Sequence, residues 1–124
     1  MEENRFEKLE VWKRAHQIVI NIYKITRSFP KEEKYLLVDQ LRRASISIAA
    51  NIAEGNDRKT KKEFIQFLYN SKGSLSEVKY FCILTRDLNY IDINTYVKLI
   101  SELTEVGKMI NGLINYLRSK IKNI

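Results

Sequence analysis

The chain has 124 residues, 44% of them hydrophobic and 30% charged, with 22 Lys and Arg against 15 Asp and Glu and a formal net charge of +7. That length accommodates one hydrophobic core, and that composition excludes a disordered chain. A single cysteine, Cys82, excludes an intrachain disulfide, and no run of about 20 uncharged apolar residues is present to span a bilayer.

One domain over residues 1–124, an all-α fold and a cytoplasmic location are the resulting expectations. The chain opens Met-Glu-Glu-Asn-Arg rather than with an apolar leader, and only one proline and four glycines interrupt it. Four helices are predicted, over about 9–28, 36–55, 60–89 and 92–121. In the first, Val11, Ala15, Ile18, Ile22 and Ile25 recur at helical spacing, with Trp12, Val19 and Tyr23 widening the stripe. Phe29-Pro30 stops it, because a residue before proline is pushed out of the α region. Lys31–Tyr35 reads as a short helical turn. The second main helix follows, rich in small residues from Ala44 to Ala53, with Gly55 placed as its C-terminal cap.

Asn56-Asp57-Arg58-Lys59 is a polar connection, and Thr60-x-x-Glu63 is a capping box that starts the third helix. There Phe64, Leu68, Ser71, Leu75, Val78, Cys82 and Thr85 form a heptad seam. Asp92 caps the fourth helix, whose seam is Tyr96, Leu99, Leu103, Val106, Ile110, Leu113 and Leu117. A link of about two residues forces these two long helices to run antiparallel. The predicted architecture is an antiparallel up-and-down four-helix bundle with long third and fourth helices.

The apolar surface exceeds one stripe per helix. Phe67, Phe81, Leu84 and Leu88 lie beside the third seam, Val97, Ile100, Met109 and Ile114 beside the fourth, and Ile20 and Tyr23 on the first helix. A subunit interface is the preferred reading, since soluble monomers rarely expose broad apolar patches. A wider three-in-seven core in a monomer is the alternative.

Residues for catalysis are missing. His16 is the sole histidine, on a polar stretch of the first helix, and Cys82 sits on a seam, where a buried structural thiol is expected rather than a nucleophile. No zinc ligand set, glycine-rich phosphate loop or Glu-x-x-His pair is present. The expectation is a non-enzyme with no catalytic, cofactor or metal residues and no small-molecule substrate.

Two polar features remain. Gln40, Arg43, Ser47, Asn51 and Glu54 form one stripe on the second helix, and Ser74 and Glu77 lie near it on the third. The stripe reads as a partly buried network fixing helix register, for instance Arg43 with Glu77 or Glu54, in preference to a ligand or RNA site. The second feature is basic: Arg58, Lys59, Lys61 and Lys62 crowd one turn, Arg42 and Arg43 precede them, and Arg118, Lys120 and Lys122 mark the C-terminal end. In an up-and-down bundle that turn and that end share one pole and form a basic rim. A solvated loop and tail is the plainer reading. Without a basic motif interleaved with aromatics, nucleic-acid binding here is expected to run through phosphates and to depend strongly on salt.

Particular residues carry a family resemblance over nearly the whole chain. They are Phe6-x-x-Leu9-x-x-Trp12-x-x-Ala15, then Tyr23, Phe29-Pro30 and Glu33. Next come Gln40-Leu-Arg-Arg43-Ala44-x-x-Ser47-Ile48-x-x-Asn51-Ile-Ala-Glu-Gly55 and Arg58, and finally Phe64, Phe67-Leu68, Gly73-Ser74 and Glu77. The chain resembles the four-helix bundle proteins encoded in intervening sequences of bacterial 23S ribosomal RNA genes, with Ser71 where that pattern leads one to expect alanine. The resemblance implies a homopentamer of four-helix bundles and distant kinship with the accessory variability protein of diversity-generating retroelements, a basic pentamer that works with a reverse transcriptase and RNA. It brings no catalytic residues. The functional expectation is an oligomeric, non-enzymatic module that binds RNA or a ribonucleoprotein, the alternative being a protein-binding scaffold bundle whose charge serves solubility.

Overall fold

The computed structural model describes residues 2–121. They form four helices, α1 (Glu10–Thr26), α2 (Leu37–Asn56), α3 (Lys61–Asp87) and α4 (Ile93–Ser119), with 3-10 turns at Arg5–Lys8 and Lys31–Glu33. Thr60 and Asp92 cap their helices as expected, but the capping box at Thr60 forms only by half, because Glu63 takes the threonine hydroxyl rather than its backbone N–H. Thr60 Oγ1 accepts the Glu63 N–H at 3.1 Å, and its hydroxyl donates to the Glu63 carboxylate at 3.0 Å. The Asp92 carboxylate accepts the Thr95 N–H at 2.7 Å, and this bond holds its pKa below the usual value.

Three helix ends fall two residues short of the sequence expectation, α1 at Thr26, α3 at Asp87 and α4 at Ser119, the first two for local reasons. α1 stops at Thr26, whose buried hydroxyl turns back to donate to the Ile22 carbonyl at 2.7 Å. α3 stops at Asp87 because Asn89 takes the left-handed conformation (φ 60°), and Tyr90 N–H then closes on the Thr85 carbonyl at 2.9 Å. The α3–α4 link is therefore residues 88–92, longer than the two residues expected.

Each helix packs against its neighbours in sequence, and α1 closes the ring against α4, giving an up-and-down four-helix bundle. The seams point inward as read. Leu68, Ser71, Leu75, Val78, Cys82 and Thr85 are buried on α3, as are Leu99, Leu103, Val106, Ile110 and Leu117 on α4. Part of the surplus apolar surface belongs to this same core. Phe81 and Ile114 are buried, and Tyr23, Leu84, Ile100 and Met109 pack against the core half-buried. Ile20, Leu88 and Val97 remain exposed.

The most extensive helix contact is α2 on α3. Gly55 explains how close it is, and here the sequence expectation is corrected. Gly55 is not a left-handed cap; it lies inside α2 and is buried. A Cβ on it would stand 2.6 Å from Phe67 Cβ and 2.9 Å from Phe64 Cδ1. About two turns back along α2, the Ser71 hydroxyl donates across the interface to the Ile48 backbone carbonyl at 2.8 Å. Ser74 donates to Ser47 Oγ at 2.8 Å just beyond. These three approaches share one antiparallel register.

Substitution should separate packing glycines from incidental ones. Gly55→Ala is expected to destabilise the protein by about 1–3 kcal/mol through overpacking. Gly73→Ala, where a Cβ meets nothing within 4 Å inside α3, should stabilise it by roughly 0.5–1 kcal/mol. Urea midpoints at constant m-value measure both.

Candidate nucleic-acid interface

Alternating helix direction puts the α2–α3 turn, the end of α4 and the Arg5–Lys8 turn at one pole of the bundle. The packing of the Arg5–Lys8 turn on α2 agrees with this placement. Lys59, Lys61 and Lys62 are exposed, and no ion pair engages them among the described residues. Arg58 differs: its guanidinium pairs with Glu54 at 2.9 Å and lies 4.6 Å over the Phe67 ring. At the end of α4, the Arg118 guanidinium donates to the Tyr69 hydroxyl and lies 5.5 Å from that ring's centre. The Lys120 ammonium sits 5.5 Å over Tyr116. Lys122 lies outside the described residues.

The structure thus interleaves cations with aromatic rings where the sequence showed no such motif, because Tyr69 and Arg118 are on different helices. It adds Lys72 to the group, 5.5 Å from the centre of the same Tyr69 ring. Lys72 escaped the sequence reading since it stands apart from any basic run. The available signal was its position three residues after a tyrosine with no carboxylate one turn away.

Arg42 is not brought to this pole. It lies at the opposite end, where Nε donates to Thr26 Oγ1 at 2.9 Å, Nη2 to the Tyr23 carbonyl at 3.4 Å, and the guanidinium stacks 4.3 Å over Tyr23. Its role is to tie α2 to α1 around a buried hydroxyl.

The polar stripe splits. Arg43 pairs with neither Glu77 nor Glu54 but with Asp39, one turn back on its own helix at 3.0 Å, with its side chain 77% exposed. The acid nearest in the helix wins, since holding a long side chain against a distant partner costs rotamer entropy. Gln40, Glu54 and Glu77 are exposed. Only Ser47 and Asn51 form the inter-helix network: the Asn51 amide donates to the Ser47 carbonyl at 2.8 Å and to its hydroxyl at 3.0 Å, and Ser47 in turn accepts from Ser74.

The remaining candidates for chemistry are placed structurally. Burial pushes the Cys82 thiol up to about 12, which keeps it protonated and unreactive at neutral pH. His16 is exposed and stacks on Trp12 with centroids 4.9 Å apart. Among the described residues no group of three His, Cys, Asp or Glu side chains is placed to hold a metal, and no helix is long and apolar enough to cross a membrane.

These features define a small basic four-helix bundle with cations laid over aromatic rings toward both poles. The chain belongs to the family described as 23S rRNA-intervening sequence protein, which matches residues 7–112. Its fold is also that of a crystal structure of a protein with unknown function from the S23 ribosomal protein family of Bacteroides thetaiotaomicron VPI-5482. The two are 24% identical with a TM-score of 0.78, over 84% of this chain and 97% of that one. No curated protein matches the chain. Neither description names an enzymatic activity.

Adjacent arginines provide a test of these assignments. Arg42→Ala should cost about 1–3 kcal/mol, because it leaves the buried Thr26 hydroxyl short of a partner and removes the stack on Tyr23. Arg43→Ala should stay within roughly 0.5 kcal/mol, as expected for an exposed pair. Equal losses in thermal melts would refute the division.

Proposed function

We propose that this protein is a non-enzymatic, cytoplasmic, oligomeric bundle that binds RNA or a ribonucleoprotein through basic surface, mainly by phosphate contacts. One observation carries this reading: Lys59, Lys61 and Lys62 stand exposed in a single turn, free of ion pairs among the described residues. Their neighbour Arg58 pairs with Glu54, and Arg14 and Arg43 elsewhere on the surface likewise pair with a carboxylate one helical turn before them. Unneutralised cations at one pole, joined there by Arg118 and Lys120, attract a polyanion and gain from counterion release.

The oligomeric part rests on apolar exposure. Tyr35 (81%), Leu36 (61%), Ile93 (60%) and Val97 (57%) are exposed at the pole opposite the basic turn. A groove of about 780 Å³ adjoins this surface along α2, with Tyr23, Tyr35 and Ile46 on its lining beside the charged Lys34, Asp39, Arg42 and Arg43. Covering it with further copies removes apolar area from water and leaves the basic pole free. The resemblance to a pentameric family supplies the number of copies.

Two measurements test the reading. Light scattering at micromolar concentration should give a mass several times 14.7 kDa, and a monomer mass would overturn the oligomer. RNA of mixed sequence should bind at about 50 mM salt and weaken steeply by about 200 mM, and replacing Lys59, Lys61 and Lys62 with Gln should flatten the log–log salt slope by about 2. Absence of binding at low salt would leave the scaffold reading in its place.

A further inference from the structure

A second set of cations faces a groove between α3 and α4, on the side of α3 away from α2. The groove measures about 290 Å³; Leu75 and Gly107 lie on its lining, with Lys72, Ser76 and Lys79 from α3 and Thr104, Lys108 and Asn111 from α4. Among the described residues no carboxylate lines it. Lys72 and Lys79 also lack any acidic residue three or four positions away on their own helix. The nearest acid to Lys108 is Glu105, exposed and outside the groove. The groove on the other side of α4 is different. It contains Glu102, whose Oε2 accepts from the Asn21 amide at 3.3 Å, alongside Lys24 and Lys98, so cations and carboxylate share one lining.

The α3–α4 groove is continuous with the basic pole. Lys72 belongs both to its lining and to the cluster on Tyr69, 5.5 Å from that ring. Arg118, from the end of α4, is held against the same tyrosine by its bond to the hydroxyl. Tyr69 is therefore the joint at which the pole opens into the groove.

We infer that this groove binds the phosphodiester backbone of a single RNA strand running from the basic pole along α3 and α4. This rests on the reading in which the pole contacts RNA, and it adds the path and the strandedness. Lys72 and Lys79 are two helical turns apart, about 10 Å along the axis, with Lys108 facing them across the groove. Three ammonium groups gathered without a carboxylate repel one another until an anion bridges them. The Ser76 and Thr104 hydroxyls and the Asn111 amide between them supply neutral donors and acceptors for phosphate oxygens and the 2′-hydroxyl. Lysines of α3 and α4 face one another across the groove, so a flexible single strand can bring successive phosphates to both rows, whereas a stiff duplex presents one backbone face at a time.

The experiment compares fluorescence anisotropy of a roughly 12-nucleotide oligouridylate and an RNA duplex of equal length. The proteins are the wild type, a groove variant (Lys72→Gln, Lys79→Gln, Lys108→Gln) and a pole variant (Lys59→Gln, Lys61→Gln, Lys62→Gln). All six substitutions are of surface lysines, and unchanged melting temperatures verify that the variants fold. The groove variant should lose roughly tenfold in single-strand affinity, with a salt slope flatter by about 2, and keep duplex affinity within about twofold. The pole variant should weaken both ligands. Tyr69→Phe, which removes only the hydroxyl that Arg118 contacts, should weaken oligouridylate binding by a few-fold. Wild-type single-strand affinity and slope in the groove variant, with weakening confined to the pole variant, would overturn the groove and leave the pole reading intact. Equal loss of single strand and duplex in the groove variant would overturn the strandedness. A wild type that binds neither ligand at low salt would overturn the pole reading and the groove with it.

Discussion

Two long helices cannot lie close together unless the side chains between them are small. The contact of α2 with α3 meets that constraint at Gly55, where Phe64 and Phe67 occupy the space a Cβ would need, and at Ser71, whose hydroxyl reaches the α2 backbone itself. A buried hydroxyl without a partner costs about 1–3 kcal/mol, so the Ser71 bond permits only the register in which the Ile48 carbonyl is in reach. Where the family pattern leads one to expect alanine, serine thus adds a directional bond to a close packing. With α2 and α3 locked in register, the turn between them is fixed in place, and the far side of α3 is presented to α4.

The surface follows from that frame. α3 spends one side on α2 and its seam on the core, which leaves the side toward α4 to carry Tyr69, Lys72, Ser76 and Lys79. Arginines near the ends of the helices are anchored rather than free: Arg42 on Tyr23, Arg58 on Phe67 and Arg118 on Tyr69. Among the described residues no ion pair engages the lysines of the α2–α3 turn or the α3–α4 groove, although Lys72 shares the Tyr69 ring with Arg118 and Lys120 lies over Tyr116. The guanidinium groups add a hydrogen bond or ion pair to their ring contact, Arg42 to Thr26, Arg58 to Glu54 and Arg118 to Tyr69, where these ammonium groups have the ring alone.

Local chemistry and long-range placement were legible in the sequence to different degrees. The Thr60 and Asp92 caps act over three residues and were read directly. Gly55 was misassigned because helix caps and close helix contacts both call for glycine, and only the position of Phe64 and Phe67 distinguishes them. Arg42 and Arg43 look equivalent as neighbours, yet a helix turns about 100° between them, enough to send one to α1 and the other to solvent. The surplus apolar residues read the same way on paper; Phe81 and Ile114 went into the core while Val97 and Leu88 stayed outside.

The heptad seams, the scarcity of helix breakers and the cap residues determined by themselves that this chain forms four helices in an antiparallel bundle, because each of those signals acts within a turn or two of the backbone. The motif residues also determined its family. Which cations meet, which glycine is crowded and which polar residues bridge helices were decided only in three dimensions. Arg118 and Tyr69 are 49 positions apart, and Lys108 faces Lys72 across a groove only because α3 and α4 pack in one register. That register is set by side-chain shape and hydrogen bonding between helices, for which no spacing along a single helix provides the information.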